Sequence, residues 1–290
     1  MSASSTIITP GTVSKILWHF TGGPTWDMNK NKQNTYPKPA KEAYQCMISI
    51  IESKELRTGN YSEVVKVRLK LRVKGTKKRR SKKKYIEKTR KVNSNKVCCL
   101  ADIPLIHLGY HASRYGKFAI GFHRHSAIKN DFNPVLYSLE NSKALKNIYR
   151  GFSRLKNIEI DDLVSASKLL RKTFDKIDVE DTEEMEDALS DLEYEIEYVE
   201  DYVKTAFENI SHFLAFVKTF NESEFGSIYT EREWRATKPF SFNYQDIAMV
   251  VIPKKIGANK YYEKFLDNEI SRIGIPKEIP VVPWEDLVEH

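Results

Sequence analysis

Ser227-Ile228-Tyr229-Thr230-Glu231-Arg232-Glu233-Trp234-Arg235-Ala236-Thr237 is the stretch that decides how the rest of the 290-residue chain is read. Its alternation predicts a short strand. Residues two apart share a face, so Glu231 and Glu233 point the same way with Arg235 beyond them. One carboxylate raises the pKa of its neighbour and a nearby arginine lowers it, so a Glu-x-Glu pair can divide ionised and protonated roles. A surface strand laced with salt bridges has the same pattern. Position shifts the balance toward a site: the pair follows a long helical region and precedes a second strand, Ile247-Ala248-Met249-Val250-Val251-Ile252-Pro253. Carboxylates on a late strand call for a partner earlier in the chain.

That partner is found near the N-terminus. Lys15-Ile16-Leu17-Trp18-His19-Phe20-Thr21, closed by Gly22-Gly23-Pro24, reads as a buried strand running into a turn, with His19 near its end. Ala40 to Leu56 has helical spacing and ends at Thr58-Gly59. Val97 to Leu100 is a short strand, Asp102 to Leu105 leads into a short helix, and Tyr115-Gly116 precedes a strand over Lys117 to Phe122. Glycines at 116 and 121 mark close approach by backbone or ligand. Asn133 to Tyr137 reads as a further strand, Tyr261 to Ile273 as a helix, and Ile279 to Trp284 as an extended terminal segment.

Two segments carry opposite charge. Val65, Val67, Leu69, Leu71 and Val73 alternate with Lys66, Arg68, Lys70, Arg72 and Lys74, one face buried and one a ladder of cations. Lys77, Lys78, Arg79, Arg80, Lys82, Lys83 and Lys84 follow as the tip of a hairpin over residues 62–96. Between Lys66 and Lys96 there are 16 Lys or Arg against Glu87 alone, more than the +8 net charge of the whole protein. Lysines guard edge strands, but one or two suffice for that. Ser138 to Asn221 reads as helical throughout, about three helices divided near Asn157 and Asp178. In the last, residues from Leu189 to Val217 form a coiled-coil-like seam fit for an oligomer interface. Its start, Asp178 to Asp201, holds 13 Asp or Glu and no Lys or Arg, so the acidic and basic segments either face each other or serve partners.

The predicted fold is α+β: a mixed central sheet from residues 1–137 and 222–290, with the basic hairpin inserted at 62–96 and a helical insertion at 138–221 carrying an acidic helix at 178–220. The 41% hydrophobic content suits a globular core. Three cysteines form neither a disulfide framework nor a zinc spacing, and no run approaches the roughly 18 apolar residues of a membrane span, so a cytoplasmic protein is expected. Walker-type, dinucleotide-binding, Gly-x-Ser-x-Gly and His-Glu-x-x-His motifs are absent from the sequence. His107, His111, His123 and His125 cluster without completing a metal site and are expected mostly at the surface.

Trp18-His19-Phe20-Thr21, Val97 to Leu105, Tyr115-Gly116 with Ala119-Ile120-Gly121-Phe122, Asn133 to Tyr137 and Glu231-x-Glu233-Trp234-Arg235 together resemble the AbiGi-type abortive-infection proteins of bacteria over the sheet domain. That resemblance implies phage defence, an antitoxin or regulator role and a cognate toxin partner. The same skeleton also resembles the ADP-ribosyltransferase fold, including DarT-like nucleic-acid modifiers. This second resemblance implies NAD as substrate and a nucleic acid, RNA before DNA, as acceptor. It implies that His19 bonds the nicotinamide ribose, with Thr21 or the Gly22 backbone at the amide. Tyr115, or else Tyr137, stacks on the nicotinamide ring. Glu233 holds the ribose 2′-hydroxyl and stabilises the oxocarbenium-like cation, and Glu231 orients or deprotonates the acceptor.

Overall fold

The computed structural model describes residues 14–27, 32–33, 36–59, 62–72, 85–156, 160–174 and 183–288. Its centre is a mixed seven-stranded sheet. The strands are β1 (Ile16–Phe20), β4 (Cys98–Ala101), β5 (Ala119–His123), β6 (Asn133–Pro134), β9 (Glu233–Ala236), β10 (Ile247–Ile252) and β11 (Val281–Pro283), in the spatial order β11-β10-β5-β1-β4-β9-β6. Only β10 and β11 are parallel; the other neighbours are antiparallel. β1 is central because both its faces are apolar, and the two faces pack on separate cores. Leu17 joins one with helix α1 (Ala40–Ser53), while Trp18 and Phe20 join the other with Leu108 and Trp284. The expected backbone approach exists at Gly116, where an ideal Cβ lies 3.4 Å from Gly22 Cα, while Gly121 is approached by side chains instead. A Cβ on Gly121 would lie 2.7 Å from Ile16 Cγ2 and 3.0 Å from the Trp18 ring, and one on Gly22 would lie 2.7 Å from the Tyr115 carbonyl oxygen. Gly116, at φ +78°, turns the chain out of helix α2 (Leu108–Tyr115).

The predicted hairpin forms from β2 (Ser62–Arg72) and β3 (Tyr85–Lys96), paired antiparallel from Ser62 with Lys96 to Arg72 with Tyr85. Its tip, with Val73, Lys74 and the cations from Lys77 to Lys84, lies outside the described residues. Val65 and Val67 are buried against Leu145 and Phe152 of α3 (Lys143–Lys156) and Leu214 of α5 (Glu183–Leu214), each contributing about 1.5–3 kcal/mol. From Tyr85 to Lys91 every residue of β3 is exposed, so this end of the hairpin stands clear of the body.

Three expectations are corrected. The 133–137 strand is two strands in different sheets: β6, and β7 (Leu136–Leu139), which pairs in parallel with β8 (Val217–Phe220). The segment 138–221 is therefore not helical throughout, and the seam stops at Leu214. Val217 and Thr219 are β-branched and both buried, with Lys218 between them. The strand predicted from Ser227 begins only at Glu233: Phe225–Tyr229 is a helical turn, and Arg232 takes a left-handed φ of 42°.

Helix α4 (Ile160–Phe174) packs along α5, and Arg171 of α4 pairs with Glu193 at 2.8 Å. No ion pair joins the acidic half of α5 to the hairpin among the described residues. No helix among them is long and apolar enough to cross a membrane.

Candidate functional site

The structure brings His19, Tyr115, Glu231 and Glu233 to one cavity of about 260 Å³. β1 delivers His19. Its Nδ1 lies 3.1 Å from the Cys99 carbonyl oxygen, which can only accept, so Nδ1 carries the proton and Nε2 remains an acceptor. Burial lowers the His19 pKa to about 4, against the raising effect of its hydrogen bond to the Cys99 carbonyl. Tyr115 is placed by the end of α2. Its ring stacks on His111 at 4.3 Å and its hydroxyl is 3.5 Å from Glu231 Oε1. Burial and the Glu231 charge push the Tyr115 pKa upward, so it stays protonated.

The two carboxylates do meet, although Glu231 sits in a turn rather than on the strand. Lys218 from β8 donates to both, to Glu231 Oε2 and to Glu233 Oε2 at 3.0 Å. Arg114 donates to Glu231 Oε1 at 2.7 Å. Arg235, with no exposed surface, donates from Nε to Glu233 Oε1 (3.0 Å) and from Nη2 to Glu233 Oε2 (2.9 Å) and Glu63 Oε2 (2.5 Å). Its Nη1 donates to the Ala215 carbonyl at 2.7 Å. Burial would raise the Glu233 pKa, but Lys218 and Arg235 outweigh it and hold the carboxyl well below the usual range. Burial likewise opposes the charge on Lys218, and Glu233 and Glu231 restore it, keeping the amine firmly protonated. Three carboxylates (Glu63, Glu231, Glu233) thus meet three cations (Arg114, Lys218, Arg235), and the network is neutral. Glu233 is the carboxyl that Lys218 and Arg235 hold ionised.

Of the remaining predicted residues, Thr21 joins the same cavity and the other described ones lie outside it. Thr21 is buried and lines the cavity, but its hydroxyl donates to the Ala43 carbonyl at 2.7 Å, tying β1 to α1. The Gly22 carbonyl accepts from the Lys38 backbone amide at 2.9 Å, and Gly23 rather than Gly22 lines the cavity. Tyr137 lies across the strand: its hydroxyl accepts from the Glu233 amide at 2.8 Å and its ring packs on Tyr229, beside a neighbouring cavity. On the hairpin, Lys66 and Arg68 flank the buried Glu140 at 3.7 and 3.3 Å, and Lys70 lies 3.8 Å from Glu87. Lys77, Lys78, Arg79, Arg80, Lys82, Lys83 and Lys84 fall outside the described residues, as does the side chain of Arg72.

Sequence reading missed Lys218, Arg114, Lys38 and His111. Lys218 was hidden by a helical seam that ran on into a strand. His111, expected at the surface, is buried between Phe20 and Tyr115, and desolvation and the Arg114 charge lower its pKa to about 4. No group of metal-ligating side chains occurs among the described residues.

The two histidines give acid sensitivity. An unfolded histidine binds its proton near 6.5, whereas folded His19 and His111 bind theirs near 4, so the unfolded state holds more protons between those values. Stability is complete above pH 6.5 and is lost as pH falls toward 4. His111→Phe removes one share, so unfolding free energy measured by urea denaturation falls less steeply over that window. An unchanged slope would contradict the assignment.

Residues 71–282 match the family model "Putative abortive phage resistance protein AbiGi, antitoxin". The match continues through the helical segment and starts beyond His19, so the resemblance is not limited to the sheet domain. No curated protein and no solved structure matches the chain. With more than half of its length matched, the chain belongs to the AbiGi family.

Proposed function

We propose that this chain is the non-catalytic, antitoxin-type member of a phage-defence pair, a regulator that binds nucleic acid along its basic hairpin and has a toxin protein as partner. The observation that carries this reading is the pairing of Glu233 with two buried cations, Arg235 and Lys218. A carboxylate offers about four acceptor positions, and Arg235 and Lys218 take three of them. Two adjacent cations also cancel the negative field that a developing sugar cation would need. The family's antitoxin description agrees. The hairpin supplies the binding surface, because cations along a projecting strand follow a phosphate backbone without reading bases. Its test is oligonucleotide binding as a function of salt, with a steep fall in affinity expected.

A second reading is favoured by one observation, the convergence of His19, Tyr115, Glu231 and Glu233 on a single cavity. Here the sheet is of ADP-ribosyltransferase type, and NAD is the substrate whose ADP-ribose passes to a nucleic acid, RNA before DNA. His19 Nε2 accepts from the nicotinamide ribose, Tyr115 faces the nicotinamide ring, and Glu233 holds the 2′-hydroxyl. Glu231 takes the acceptor's proton. This chemistry sets the 2′-hydroxyl on a carboxylate already paired with Arg235 and Lys218. Release of nicotinamide from NAD separates the two readings.

A further inference from the structure

Two further cavities adjoin the one that holds His19. One, of about 340 Å³, shares His111 with it and is otherwise walled by Pro104, His107, Tyr110 and Arg232 among others. The other, of about 390 Å³, shares Glu233 with it and contains Tyr137 and Tyr229. Arg232 lines both of these outer cavities. Its left-handed backbone is unfavourable for a residue with a side chain and is sustained by the surroundings. The Asp102 amide donates to the Arg232 carbonyl at 2.9 Å, and Arg232 Nη2 donates to Asp102 Oδ2 at 3.1 Å. Asp102 is itself buried and fixed from the other side by Arg124 at 3.3 Å. The backbone kink therefore presents a guanidinium between two aromatic-lined hollows, while Tyr110 stands 63% exposed at the rim of the first.

Flat apolar walls with one oriented planar cation suit a ligand that is itself flat, with apolar faces and a polar edge. We infer that the pocket of Pro104, His107, Tyr110 and Arg232 takes an unpaired base of a nucleic-acid strand, stacked on Tyr110. The inference rests on the nucleic-acid reading above and adds a second contact to it: the hairpin holds phosphates, and this pocket holds a base. Stacking requires the base to be unpaired and tolerates any base identity, because every base has a π-face. The pocket thus selects single strands over duplex. A strand seated there passes beside the His19 cavity through the shared His111 wall.

The test uses the full chain with single-stranded RNA and DNA oligonucleotides carrying 2-aminopurine, and the same sequences as duplexes. Wild type is expected to quench the fluorophore on binding single strands. Tyr110→Ala should lose that quench and bind single strands about tenfold more weakly. Duplex affinity should not change, and Tyr110→Phe, which keeps the ring, should behave as wild type. Tyr110 is exposed, so these variants leave the fold intact. RNA and DNA arms that respond alike, or one alone, both support the pocket and name the strand. Salt-dependent binding that is identical in Tyr110→Ala overturns the pocket while leaving the nucleic-acid reading in place. Binding of no oligonucleotide at all overturns both.

Discussion

Arg235→Met is expected to destabilise the protein by about 3–5 kcal/mol, a large share of the roughly 5–15 kcal/mol that holds an ordinary domain folded. Arg235 is fully buried and bonds Glu233, Glu63 and the Ala215 carbonyl at once. Methionine keeps much of the volume and removes every donor. Glu63 and Glu233 are then left buried, with Lys218 the remaining close cation for Glu233. The cost comes from stranding charge, so removing the charge should recover it. The combination of Arg235→Met with Glu63→Gln and Glu233→Gln is expected to regain most of the loss. Urea denaturation of wild type, the single variant and the triple variant reads this directly. A single variant within 1 kcal/mol of wild type would show that the network is not the buried strut described above.

The second large effect is expected on binding. Each cation that neutralises a phosphate of a single strand contributes about 0.7 to the slope of log affinity against log salt. Seven tip cations acting together would cost about a thousandfold in affinity between 50 and 200 mM salt. Lys66, Arg68 and Lys70 count for less, because carboxylates at Glu140 and Glu87 already share their charge. Substituting Lys82, Lys83 and Lys84 together by Gln should therefore lower the slope by about 2 and leave the folding free energy unchanged. A slope untouched by the triple substitution would remove the tip from the interface.

Much of this arrangement was legible in the chain itself. Continuous apolar runs marked the central strands, strict alternation marked the hairpin, and Gly116 marked a backbone approach to Gly22, whereas Gly121 is approached by the Ile16 and Trp18 side chains. The meeting of His19, Tyr115 and the two glutamates followed from resemblance, since residues so far apart in sequence carry no local signal for one another. What escaped was the chemistry that neutralises the site. Val217-Lys218-Thr219-Phe220 continued a helical period by coincidence, which concealed both the strand and its lysine. The pairing of Arg235 back onto Glu233 was masked for a different reason: a strand places both on one face, but burial decides whether an arginine there is a surface guard or a clamp. Glu63 reaches Arg235 from the base of the hairpin, a contact across 172 residues that depends on the hairpin docking on β8.

The most direct test of the central claim is nicotinamide release from NAD by the purified chain, with RNA, DNA or neither, beside Glu233→Gln. A regulator whose carboxylates are held in a neutral lattice is predicted to release none under any condition, while still binding oligonucleotide in a salt-dependent way. Release that depends on Glu233 and rises with one nucleic acid would contradict that claim and establish the transferase reading in its place.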